Sequence, residues 1–194
     1  MKILIDNGHG IDTAGKRSPD GRLREYAYAR EIATRLENEL KAMGYDAERI
    51  VPEENDISLK ERCNRVNNIC KKLGKDNVIL VSIHCNAAGA DGNWHNARGW
   101  SAYVSQNASE NSKKLACCLI EKAELLGLDI RRYSPDEPYW TQNLAICRDT
   151  NCPAVLTENL FQDNKLDVQF LLSEGGKADI VDLHIDGIIK YLGR

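Results

Sequence analysis

Two stretches of the chain end on an imidazole. MKILIDNGHG places His9 just past the apolar run at residues 3–5, and VILVSIHCNA places His84 at the end of the run at residues 78–83. Runs of Ile, Val and Leu of this kind read as buried strands. In an open α/β sheet, ligands bind outside the carboxyl ends of the strands. If the two strands are parallel, both histidines reach the same edge. The glycines flanking His9 allow a tight turn there and leave room for a ligand. A single histidine at a strand end is more often a satisfied structural residue, so neither decides the matter alone.

Glu25 shifts the balance. It begins a series Glu25, Ala29, Ile32, Ala33, Leu36, Leu40 and Met43 that follows one face of a helix. The carboxylate therefore turns toward the core, where it is costly unless paired or bound to a metal. The competing reading is that it caps the helix or meets Arg22, Arg24 or Arg62. Two histidines and one glutamate are a ligand set of catalytic zinc, with a fourth position for water. The same set can hold iron for oxygen chemistry. A hydrolytic site also wants an acid or base that is not a ligand. Glu158, in AVLTENLF, stands at the carboxyl end of an apolar run. Desolvation there would raise its pKa toward the range useful for a general base. An ion pair with Arg148 is the alternative.

These residues need elements to hold them. Beyond strands at 3–5 and 78–83, the pattern gives strands at 47–51, 99–104, 144–147 and 154–157. Helices are expected at about 24–43, from a Ser58 cap with Glu61 as its capping-box partner to about Leu73, at 111–126 and at 179–192. Residues 10–24, 88–98 and 129–143 read as loops. Strands alternate with helices from end to end, which predicts an α/β fold: a six-stranded, mostly parallel twisted sheet flanked by helices, one domain over 1–194.

Composition sets limits. The 194 residues are 42% hydrophobic and 28% charged, with a formal net charge of −3. No dense Lys/Arg stripe is present, so no nucleic-acid partner is expected. No segment is long and apolar enough for an integral membrane span. Seven scattered cysteines, an odd number in a chain of this size, read mostly as buried thiols rather than a disulfide framework. The start MKILID lacks the features of a signal peptide, so synthesis in the cytoplasm is expected.

IDNGHG, REYAYAREIA, SIHCNA and VLTENLF, in this order, resemble the type-3 family of zinc-dependent N-acetylmuramoyl-L-alanine amidases, including phage and prophage endolysins. The resemblance spans nearly the whole chain. It implies hydrolysis of the amide between N-acetylmuramic acid and L-alanine in peptidoglycan. It implies one Zn2+ held by His9, Glu25 and His84, with Glu158 as general base and acid. Residues 59–67, with Arg62 and Asn67, resemble the family's second helix. Arg62 and Asn86 are expected to touch substrate. The implied partner is peptidoglycan, the chain acting as a monomer on the cell wall.

Two positions depart from the family pattern. Asn7 stands where proline is usual, and Asn159-Leu160-Phe161 follows Glu158 where Glu-x-Gly-Phe is more frequent. His95 reads as an exposed loop residue and His184 as structural. A peptidase acting within the stem peptide, a wall-binding module that keeps the fold, and an iron oxygenase are the rival functions. A pure binder has no need of Glu158, and nothing else in the chain supports the oxygenase.

Overall fold

The apolar runs form the middle of a sheet. In the computed structural model, which describes residues 1–193, β1 (Lys2–Asn7) lies parallel to β3 (Val78–Asn86). The expected end of the domain at residue 194 lies outside the described residues. Outside β1 runs β2 (Asp46–Arg49), also parallel. On the far side of β3 lies β6 (Ala154–Phe161), again parallel, then β4 (Ser101–Val104), antiparallel to β6, and β5 (Trp140–Thr141). The order is β2–β1–β3–β6–β4–β5. The last strand in the chain thus occupies the centre of the sheet.

Alternation along the strands separates two cores. Ile3, Ile5, Ile79, Val81, Ile83 and Val155 pack against α1 (Glu25–Ala42), α3 (Glu110–Leu125) and α6 (Glu174–Tyr191). Leu4, Leu80, Ala154 and Leu156 face the other way, onto α2 (Leu59–Leu73) and α4 (Ala145–Arg148). Ser58 caps α2 by accepting the Glu61 N–H, one half of the expected capping box, while the Glu61 carboxylate pairs with Arg65 instead of the Ser58 N–H. Of the α2 stripe, Cys63, Val66 and Cys70 are buried, while Leu59 and Leu73 at its ends are exposed.

The α/β class and the count of six strands hold, but one strand is not where the sequence put it. Residues 144–147 form α4, one helical turn closed by Arg148 N–H to Leu144 O at 2.8 Å. Ile146 and its neighbour Cys147 are both buried, which a strand with one covered face cannot do. The sixth strand is Trp140–Thr141, within the stretch read as loop. A helix without a sequence prediction, α5 (Lys165–Leu172), follows β6. The final helix starts at Glu174, five residues earlier than expected, because Gly175 and Gly176 mask its first turn. Gly176 is required there: a Cβ would lie 2.1 Å from the Phe170 carbonyl oxygen.

All seven cysteines are free thiols, with only Cys117 exposed. No helix among the described residues is long and apolar enough to cross a membrane.

Candidate metal centre and active site

His84 lies inside β3 rather than beyond it, because the strand runs three residues past the apolar segment. β6 pairs in register through His84↔Glu158 and resumes at Asn86↔Phe161, so β6 carries one extra residue. Leu160 takes up the irregularity with φ 64°, a left-handed conformation costly for a branched side chain. Glycine would adopt it freely. His84 and Glu158, neighbours in a parallel register, emerge on the same face of the sheet.

His9 reaches the centre through a sharp turn, itself at φ 60°. Gly8 gives way to protein: a Cβ there would lie 2.3 Å from the His84 ring. At Gly10 a Cβ would strike the backbone of Asp56 at 2.0 Å. The turn is gripped from behind. The His9 carbonyl accepts from Arg30 Nη1 at 2.9 Å and from Arg62 Nη2 at 3.2 Å. Arg62 also donates to Asp6, to the Asn7 carbonyl, to Asp56 and to the Ile57 carbonyl. Its guanidinium is buried and fully engaged with protein, which differs from the substrate contact expected of it. Asn86 ends β3 half-buried, its Oδ1 accepting the Ala87 N–H.

Glu25 opens α1 and is 1% exposed. Its Oε1 lies 3.0 Å from His84 Nδ1 and 3.3 Å from His9 Nε2, and accepts the Cys85 N–H at 3.1 Å. Its Oε2 accepts from Gln162 Nε2 at 3.3 Å. None of the arginines weighed as partners reaches it. Burial pushes the Glu25 pKa up, but the His84 hydrogen bond and the close approach and charge of both His84 and His9 outweigh this and hold it well below the ordinary carboxylate range. The ligand atoms of His9, Glu25 and His84 all lie within 4.8 Å of one another. His9 Nε2 is buried and lacks a hydrogen bond despite its closeness to Glu25. Two imidazole nitrogens and a carboxylate oxygen converging in this way fit a divalent metal of zinc's preference.

Glu158 stands beside this group. Its Oε2 is buried without a partner. The alternative partner Arg148 is occupied by Asp149 and Asn143. Burial raises the Glu158 pKa to about 7, the charge of His84 opposing and that of Glu25 assisting. Asn159 secures the neighbouring backbone: it donates to the His84 carbonyl at 3.0 Å and accepts from Trp100 Nε1 at 2.8 Å. Two clefts flank the centre. One, about 320 Å³, runs between His9, His84 and the apolar side chains of Leu144, Ile146 and Leu156. The other, about 480 Å³, opens on the side of Gln162.

The family model described as N-acetylmuramoyl-L-alanine amidase matches residues 3–190. The chain belongs to the N-acetylmuramoyl-L-alanine amidase family. It is 29% identical over 98% of its length to the N-acetylmuramoyl-L-alanine amidase CwlM of Bacillus licheniformis, covering 68% of that protein. It is 24% identical over 98% of its length to an endolysin of Bacillus phage SPP1, of which it spans 65%. Among solved structures, the N-acetylmuramoyl-L-alanine amidase from Clostridium difficile 630 superposes with a TM-score of 0.82 at 26% identity, over 99% of this chain and 96% of that one.

Three residues that support the site carried no clear signal in the sequence. Gln162 and Arg30 reach it only through the fold, and Asp6 is buried against Arg62 and Ser82. His95 pairs with Asp91 in the loop after β3, and His184 lies deep in the core. Neither joins the metal group.

Proposed function

We propose that the chain hydrolyses the amide between the lactyl group of N-acetylmuramic acid and the L-alanine of peptidoglycan, using one Zn2+ held by His9, Glu25 and His84. The observation that carries the reading is the convergence of these three side chains with Glu158 alongside, unpaired and close to neutrality in pKa. Zinc in such a site lowers the pKa of a water and polarises a carbonyl.

The protein's own groups do the rest. Glu158 accepts the proton of the attacking water and delivers it to the leaving amine. A pKa of about 7 suits both halves of that cycle. Gln162 and the Cys85 N–H hold Glu25 in place, fixing the angle of the third ligand. Arg30 and Arg62 brace the carbonyl of His9 and so the direction of its ring. In this reading the chain acts on the cell wall, and its similarity to a phage endolysin supports a lytic role.

The test is mass spectrometry of the soluble products after digestion of purified peptidoglycan, with and without a chelator. Stem peptides with a free L-alanine amine, lost on chelation and restored by zinc, are expected. Cleavage inside the stem peptide would identify a peptidase instead. No release by folded, zinc-loaded protein would leave a wall-binding module.

A further inference from the structure

Beside the candidate metal centre, polar atoms without protein partners gather in the larger of the two clefts. Lys16 and Arg17 form one wall; both are exposed and neither makes an ion pair among the described residues. Gln162 and Asp163 line the cleft too, at 3% and 5% exposure. Each has one half already committed. Gln162 Nε2 donates to Glu25, and Asp163 Oδ2 accepts the N–H groups of Ala88 and Gly89 at 2.7 and 3.0 Å. Each keeps one oxygen, Gln162 Oε1 and Asp163 Oδ1, buried with no partner at all. A buried acceptor left unsatisfied is costly, so a donor is needed there.

The cationic wall is held at a set place. The Lys16 carbonyl accepts the N–H of Glu25 at 2.9 Å, and Arg17 bridges to Arg24. The loop is therefore fastened to the first residue of the helix that carries a metal ligand. Lys16 takes a φ of 47°, an uncommon conformation for lysine. The opposite cleft is unlike this one. Its cation, Arg62, is spent on protein, and its walls are apolar.

We propose that the cleft of Lys16, Arg17, Gln162 and Asp163 is a subsite for an acidic peptide. A carboxylate lies between Lys16 and Arg17, and backbone N–H groups of the same peptide donate to Gln162 Oε1 and Asp163 Oδ1. Unpaired cations and unpaired buried acceptors, side by side, suit a ligand that carries both an anion and amide donors. The identity of the peptide rests on the amidase reading: the anion is then the free α-carboxylate of the glutamyl residue that follows L-alanine. The subsite would distinguish this carboxylate from its carboxamide.

Binding tests this more cleanly than rate, because the Lys16 charge also bears on Glu158. The probes are the tripeptide L-alanyl-γ-D-glutamyl-L-lysine and its α-carboxamide, titrated calorimetrically into the zinc-loaded protein. The acid should bind about five- to tenfold more tightly at low salt, as expected of a charge pair at a partly open site. The gap should shrink at about 0.5 M salt. Lys16→Ala with Arg17→Ala should abolish it, whereas Lys16→Arg should retain most of it. Equal affinity for the two peptides, binding of neither, or a gap that survives in the double variant would overturn the proposal. Amide hydrolysis without this discrimination would overturn the subsite alone. Discrimination without hydrolysis would overturn the amidase reading and leave the subsite standing.

Discussion

Two histidine sites lie in this molecule, one fully buried and one half-buried, and they have opposite characters. His184 has both ring nitrogens satisfied: Nδ1 bonds the Ile180 carbonyl at 2.6 Å and Nε2 meets Thr157 Oγ1 at 3.0 Å. No carboxylate is bonded to it, and burial presses its pKa down to about 4, so it stays neutral. At the other site, burial pulls His84 down as well, but the Glu25 carboxylate outweighs it and the pKa rises. His9 there keeps a buried nitrogen without a hydrogen bond. Burial alone does not make a histidine a ligand. A carboxylate opposite and a nitrogen left over are what separate the two sites.

The largest expected effect concerns Glu158, which stands beside the second site and is proposed to carry a proton rather than bind the metal. Glu158→Gln should lower turnover by about 10²- to 10⁴-fold while zinc content remains near wild type. Activity assays paired with metal analysis check this, and loss of zinc in the variant would make Glu158 a ligand. Next come matched deletions at the two sites. Glu25→Ala should cut zinc affinity by more than the roughly 10- to 100-fold typical of a supporting group. Thr157→Val should cost about 1–3 kcal/mol of folding stability by stranding His184 Nε2. Competition with a zinc-binding dye should find its metal affinity unchanged. A Thr157→Val protein that binds zinc poorly would erase the distinction.

Stability should also depend on pH through His184. His184 titrates at about 4 when folded against 6.5 when free, so the unfolded chain binds the extra proton between those values. Its contribution is present above pH 6.5 and is lost as pH falls toward 4, by up to about 3 kcal/mol. Denaturant melts across this window should slope accordingly, and His184→Gln should flatten the slope. A slope that persists in the variant would assign it elsewhere.

The smallest effect tests the bulge that touches both sites, since Asn159 bonds the His84 carbonyl and also Thr157 Oγ1. In an ordinary strand, Leu→Gly is less stable than Leu→Ala by roughly 0.5–1 kcal/mol. At Leu160 the order should invert by about 1 kcal/mol, because only glycine is at ease at its φ of 64°. Thermal melts of the two variants decide it.

Much of this was legible in the chain. His9, Glu25, His84 and Glu158 announced themselves because chemistry-bearing residues at the ends of apolar runs or at the head of an apolar helix face break a pattern. The central strands were legible because long β-branched runs leave little choice. The run at 144–147 misled, since four apolar residues suit a strand or one helical turn equally. Trp140–Thr141 is too short to show a period, and α5 draws its start from the Asn164 side chain, which accepts two N–H groups of the first turn. The bracing by Arg30, Arg62 and Gln162 was hidden for another reason. It depends on partners 21 to 137 residues away, and no local pattern encodes such contacts.

The central place of β6 governs how the molecule comes into being. A ribosome makes β1, β2, β3, β4 and β5 before the strand that joins them, so the growing chain holds two unlinked pieces of sheet. Until residue 161 has emerged, the apolar flank of β3 has no neighbour on one side. Such an open flank invites wrong pairing. The same strand delivers Glu158, so the joining of the two pieces of sheet and the arrival of the carboxylate proposed for proton transfer are one event. A prematurely terminated product ending before β6 therefore lacks both a continuous sheet and the carboxylate proposed for proton transfer.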